Sequence, residues 1–343
     1  MTLAVVGVFL LVRMFAGSAV GLIATVVFAT SPPILALTNN PNSHGSTMFF
    51  VTWGMFLLLR WMYVGGAWRA MGAGLCLGYA VTIRYTEGLL VLPLAAAALA
   101  SLRWRSLRWW TEASLLGAWF ALPVLGLVVF NLYSFHAWTG YDPTNESTGF
   151  TLANLLAYWE RMIRQIHNTG VYLVLPLACV GLPLMLVRAW RVGLVMTLWI
   201  VPNALIYAAY YWAPDGWIWA YLRFFVTFFP ALVLCGCWFI REAARLVVPE
   251  FLRIGRLRLD ARPLAAVCGC AALAAPAILE QCSTGVRWMD GEHQNSLRIH
   301  RAAAFAVGLD GLRETIPPRS VVFADSGFLH HLQFVADFIL YDP

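Results

Sequence analysis

The chain has 343 residues, 61% of them hydrophobic and only 12% charged, with a mean hydropathy of +0.71 and a formal net charge of +6. An average soluble domain is about 25% charged, so these figures argue against a water-soluble globule and for a protein whose apolar exterior faces lipid. The positive charge is carried by arginine, with no lysine, and sits in short loops between apolar runs. That distribution fits a positive-inside membrane topology better than a nucleic-acid-binding surface.

Taken in chain order, hydropathy predicts spans at 1–12, 16–37, 47–64, 70–83, 88–102, 113–133, 171–187, 192–212, 220–240 and 264–280. The first is shorter than the roughly 20 residues that cross a bilayer. It also lacks the charged leader and small-residue cleavage site of a signal peptide. It therefore reads as the end of a longer span, and an N-terminally truncated chain is expected. One set of connecting loops carries Arg13, Arg60, Arg69, Arg103, Arg105, Arg108, Arg188 and Arg191, and the same side receives the basic stretch from Arg241 to Arg262. The alternate loops hold only Arg84, Arg161, Arg164 and Arg223. The first set is accordingly placed in the cytoplasm.

Four segments then fall on the other side: 38–46, the long connection 134–170, 213–219 and the tail from about residue 281. All seven histidines lie there, which marks this face as the chemical one. Within the long connection, Leu152, Leu155, Leu156, Trp159, Met162, Ile163 and Ile166 repeat with helical, one-sided spacing. That spacing predicts an interfacial helix lying on the membrane. The tail changes character, with a charged helical stretch around 293–314 and a strand-like Val321-Val322-Phe323-Ala324. The expected fold is all-α and polytopic, with nine or ten transmembrane helices in 1–280. A small and incomplete α/β segment, 281–343, is expected on the periplasmic side of the inner (cytoplasmic) membrane.

Two Cys-Gly-Cys pairs, Cys235/Cys237 and Cys268/Cys270, lie in apolar runs. A metal site needs more ligands than one such pair supplies, so these are read as buried thiols. No residue is assigned to a metal. Ionisable groups within or between spans are costly and are treated as functional candidates. Arg84 and Glu87, in Arg84-Tyr85-Thr86-Glu87, lie at i,i+3 and could pair with each other, or Arg84 could hold a phosphate at the membrane boundary. Arg223 opens the ninth span, where the helix dipole disfavours a cation. It either snorkels to the interface or is offset by an anion. The polar loop containing Asn42 and His44 reads first as a turn and helix cap, and second as a substrate contact. Asp142, Glu146 and Asp215 are acid–base candidates, against the bland reading of solvated loop carboxylates.

Several stretches together resemble the membrane-embedded C-type glycosyltransferases, in particular the protein O-mannosyltransferase and aminoarabinose-transferase-like group, glycosyltransferase family 39. Ala16-Gly17 through Ser31-Pro32-Pro33 is similar to an early family span that closes in Ser-Pro. Asn42-Ser43-His44-Gly45, followed by a span ending in Arg60, resembles a family variant. The glycine-rich run Gly72 to Gly78, leading to Arg84-Tyr85-Thr86-Glu87 and Pro93, is similar to a short family span and its basic-aromatic turn. Arg223-Phe224-Phe225 with Pro230-Ala231-Leu232 resembles a late span, and Ile316-Pro317-Pro318 with Val321-Val322-Phe323 resembles the start of an outer domain.

The resemblance implies a polyprenyl-phosphate-linked sugar as donor and a lipid, protein or glycan as acceptor, at the outer face of the inner membrane. Arg84 and Arg223 would then bind the donor phosphate, with His44, Asn42, Tyr85 and Glu87 beside the substrate. No cofactor is required by the sequence, and a divalent metal is left open. The family's catalytic aspartate belongs to an outer loop that would precede Met1, so no residue here inherits that role. Two other classes stay open: a transporter or flippase of lipid-linked sugars, and a non-catalytic membrane scaffold. The first predicts mid-span charges and related halves, and the second predicts outer loops without convergent polar residues.

Overall fold

A computed structural model of the chain describes residues 2–31, 33–34, 43–101, 106–140, 149–210, 222–249, 251–254, 257–290, 321–323 and 339–341. The protein is an all-α polytopic membrane protein. In chain order the helices are α1 (Thr2–Ala16), α2 (Ser18–Ala29), α3 (Ser43–Val64), α4 (Ala67–Ile83), α5 (Val91–Ala100), α6 (Leu107–Phe135) and α7 (Leu152–Gln165). They continue as α8 (Val174–Arg188), α9 (Trp190–Ala208), α10 (Phe229–Val247) and α11 (Ala261–Asp290). Apart from α7, each of these helices falls on one predicted hydrophobic run.

Length separates them. Ser43–Val64, Leu107–Phe135, Trp190–Ala208 and Val226–Val247 are long and apolar enough to cross a bilayer, while Thr2–Ala16, Ser18–Ala29, Tyr85–Ala100, Val174–Arg188 and Ala261–Pro276 are shorter. The short ones end at identifiable breaks. Gly17, at φ 92, separates α1 from α2, and α2 turns back so that Gly21 lies against Phe9 and Arg13. Only glycine takes that backbone conformation without strain.

Packing follows the small residues. α4 lies on α6 so closely that a Cβ at Gly74 or Gly78 would collide with the Leu116 and Phe120 carbonyls. This is the small-residue seam by which helices associate where lipid offers no hydrophobic drive. α4 also packs on α3, α8 on α10, and α9 on α5. The first half of α10, Phe229 through Trp238, is wholly buried and forms the centre of the bundle. By contrast the apolar side chains of α6, among them Leu122, Leu125 and Val129, are exposed along its length, as a lipid-facing helix requires.

α7 is the amphipathic helix expected from the long connection. Thr151 caps it by accepting from the Asn154 N–H at 3.1 Å. Leu152, Leu156, Trp159 and Ile163 form an exposed apolar stripe, while Met162 points inward. Backbone and side-chain hydrogen bonds to the Ala209 carbonyl tie its first turn to the end of α9.

One element is not anticipated by the sequence reading. The arginine-rich stretch after α10 forms an antiparallel hairpin, β1 (Phe251–Ile254) with β2 (Leu257–Asp260), pairing Leu252 with Leu259 and Arg253 with Arg258. Apolar and basic residues alternate there with the period of a strand, a pattern hidden when the stretch is read for its charge alone.

The chain divides into two compact units, Met1–Gln281 and Cys282–Pro343. Within the second, β3 (Val321–Phe323) pairs in parallel with β4 (Ile339–Tyr341), and the strand expected at Val321 is present. The helix expected around 293–314, the Ile316-Pro317-Pro318 stretch and the His330-His331 pair lie outside the described residues.

Candidate functional site

The site begins where α4 stops. Arg84 takes an extended backbone conformation, φ −146 and ψ 115, immediately after Ile83. A 3-10 turn, Tyr85–Leu90, then restarts the chain into α5, with the Glu87 N–H donating to the Arg84 carbonyl at 3.0 Å. This interruption presents the Arg84 side chain to the start of α3 and the end of α9. Its Nη1 donates to His44 Nδ1 at 2.7 Å, and its Nη2 donates to the Tyr207 hydroxyl at 2.6 Å. Because Nδ1 accepts from a guanidinium, the ring proton of His44 resides on Nε2. The Thr86 hydroxyl also meets the Tyr207 hydroxyl, fixing it from a second direction.

Phe224 is the hub of this cluster. The Arg84 Cζ lies 5.4 Å from its ring centroid and the Arg223 Cζ lies 4.9 Å from it. Arg84 also lies 5.0 Å from the Tyr207 centroid. His44 meets the Phe224 ring edge-on at 5.7 Å, and Tyr207 and Tyr210 pack on it at 5.4 and 5.5 Å. Two guanidinium groups distant in sequence are thus held around one aromatic ring, whose π-face tolerates cations. Among the described residues, Arg84 makes no ion pair. A chain of aromatic contacts extends outward from the hub, since Phe150, just before α7, packs on Tyr210 at 4.8 Å.

Glu87, on the same turn, is completely buried, and neither carboxyl oxygen has a hydrogen-bond partner. The Thr227 hydroxyl faces it without reaching hydrogen-bond geometry, and Arg84 is the charged group acting on it. The i,i+3 pairing of Arg84 with Glu87 that the sequence permits is therefore not made.

The structure brings Arg84, Arg223 and His44 together and sets Glu87 in the turn beside them. Tyr85 has a different environment. Its exposed ring sends the hydroxyl to Asn131 on α6, whose Nδ2 donates at 3.1 Å. Asn42, Asp142, Glu146 and Asp215 lie outside the described residues. Sequence reasoning missed Tyr207, Thr86, Tyr210 and Asn131. Tyrosines closing an apolar run, as Tyr207 and Tyr210 do, were the available signal. They pass equally well for interfacial anchors.

The opposite ends of the same helices are built otherwise. Glu112 on α6 accepts from the Trp61 Nε1 at 3.0 Å and from Arg108 Nε at 2.9 Å. Glu242 draws in Arg245 at 2.9 Å and Arg188 at 3.8 Å, and Arg241 donates to the Phe15 carbonyl. Cys237 sits against Cys270 among buried side chains. No group of three His, Cys, Asp or Glu side chains is arranged to hold a metal ion among the described residues.

Comparison with protein families, curated proteins and solved structures gives no match to this chain. What the fold and the site define is a class, an all-α membrane protein with a cluster of arginine, histidine and tyrosine where several helices end.

Proposed function

We propose that the protein is a membrane glycosyltransferase of the polyprenyl-phosphate-sugar-dependent type, working at the periplasmic face of the inner membrane. The observation that carries this reading is the convergence of Arg84 and Arg223 on Phe224, with Arg84 held by His44 and Tyr207. A half-buried guanidinium with neutral partners and, among the described residues, no carboxylate bonded to it presents its charge to an incoming anion. A phosphodiester, bearing one negative charge and two free oxygens, is the anion such a cluster fits. In this reading the polyprenyl tail lies in the membrane, and the sugar and acceptor are bound on its outer side. The first set of arginine loops then lies in the cytoplasm and the tail outside.

The sequence resemblance to glycosyltransferase family 39 supplies the reaction: the sugar leaves its phosphate for a hydroxyl of a lipid, protein or glycan acceptor. The test is consumption of a polyprenyl-phosphate sugar by the purified protein in lipid nanodiscs. Turnover that is lost on Arg84→Ala supports the reading. No turnover with any polyprenyl-phosphate sugar removes it. The buried, unpartnered Glu87 favours a second reading, movement of lipid-linked sugar across the bilayer. Transfer of the labelled lipid between leaflets of sealed vesicles, without cleavage, would establish that instead.

A further inference from the structure

We infer that Glu87 is a proton-binding site linked to the anion site, so that an anion at Arg84 and Arg223 and a proton on Glu87 bind together. This rests on the anion reading above and names how that site is regulated. Glu87 lies wholly out of solvent and both of its oxygens lack hydrogen bonds. An isolated carboxylate in such a place is strongly disfavoured, and the group takes a proton instead. Among the described residues, the one charge acting on it is Arg84, three residues earlier in the chain. In the structure Arg84 turns both Nη groups elsewhere, to His44 and Tyr207.

Two acceptors thus compete for one guanidinium. If Glu87 loses its proton, its negative charge draws on Arg84 from inside and opposes an anion arriving from outside. An anion already at Arg84 conversely makes ionisation of Glu87 harder. The sign follows: anion binding takes up a proton, and affinity falls as pH rises through the titration of Glu87. Linkage makes the two effects equal.

The other groups around the turn do not supply this dependence. Thr227 and Thr86 do not titrate. His44 can gain a proton on Nδ1 only by giving up its bond from Arg84. No second carboxylate among the described residues acts on Glu87.

The experiment measures binding of a short-chain polyprenyl methyl phosphate, a diester whose single charge does not titrate, to the full chain in nanodiscs from mildly acidic to mildly alkaline pH. Calorimetry in buffers of different ionisation enthalpy counts the protons. The wild type should weaken roughly 5–150-fold from the acid to the alkaline end, the span of an ordinary coupling between two sites, and take up a proton on binding. Glu87→Gln, and Glu87→Leu as a second uncharged variant, should bind at every pH as tightly as the wild type does in acid, with no proton uptake. A wild type that binds with the same affinity throughout overturns the inference and leaves the sugar-transfer reading standing. A slope retained in both variants overturns it too, as does a wild type that binds the probe at no pH. Linked binding without any sugar transfer removes the enzyme reading and keeps the inference.

Discussion

The two ends of the helical bundle use arginine in opposite ways. At one end Arg108, Arg188 and Arg245 meet Glu112 or Glu242, and Arg241 meets a backbone carbonyl. At the other, Arg84 is bonded to a histidine ring and a tyrosine hydroxyl, with a phenylalanine ring beneath it, and the nearby carboxyl of Glu87 is left unbonded. A charge neutralised by a fixed carboxylate is part of the scaffold. A charge surrounded by neutral acceptors keeps most of its field, and is the one available to a ligand. On the proposed function, the contrast separates scaffold arginines from ligand-binding ones more sharply than loop position does.

Breaking the contrast at its centre has the largest expected effect. Arg84→Ala should weaken binding of a polyprenyl phosphodiester roughly 30-fold or more, the scale of about 2–5 kcal/mol for losing one partner of a partly buried charge pair. Arg84→Lys should recover only part of this, because an ammonium cannot reach His44 and Tyr207 in one plane. Titration of the probe against each variant reads both. At the opposite end, Glu112→Ala leaves the buried Trp61 indole N–H without its acceptor. It should cost about 1–3 kcal/mol of stability, seen as a lower unfolding temperature in detergent, with unchanged binding per folded molecule.

Tyr207→Phe removes the hydroxyl that orients Arg84 while preserving the ring beneath it. A single neutral hydrogen bond to a charge is worth about 1.5–3 kcal/mol at most, so a loss of roughly tenfold in affinity is expected with little change in unfolding temperature. The smallest effect belongs to Arg108→Ala. Its side chain is 79% exposed in its i,i+4 pair with Glu112, and exposed pairs contribute about 0–1 kcal/mol. Any loss of probe binding in Arg108→Ala would break the comparison.

The fold was legible because the bilayer leaves few choices for an apolar run, and each predicted run is a helix. Ends were less legible. The run 220–240 read as one span from hydropathy, yet α10 begins only at Phe229, after a 3-10 turn at Val226–Phe228. The hairpin β1–β2 was hidden because its arginines drew attention to topology rather than to alternation. In the site, Arg84 and Arg223 stood out as charged groups in costly places, while His44 read first as part of a turn and helix cap. Tyr207 and Thr86 did not, since a hydroxyl at the end of an apolar helix carries no signal until its partner is known. Nor did the sequence distinguish an Arg84–Glu87 pair from what the structure holds, in which the backbone at Arg84 is extended and the two side chains part. Spacing along a helix predicts a contact only if the helix continues.

The central claim is that the arginines around Phe224 form the anion site and those at the far end do not. The direct measurement is affinity for a short-chain polyprenyl methyl phosphate in nanodiscs, compared among the wild type, the Arg84→Ala/Arg223→Ala double variant and an Arg188→Ala/Arg245→Ala double variant. The account predicts that the first double variant loses at least about 100-fold, near the sum of two charge-assisted contacts, while the second binds like the wild type. Equal losses in both double variants, or none in the first, would contradict it.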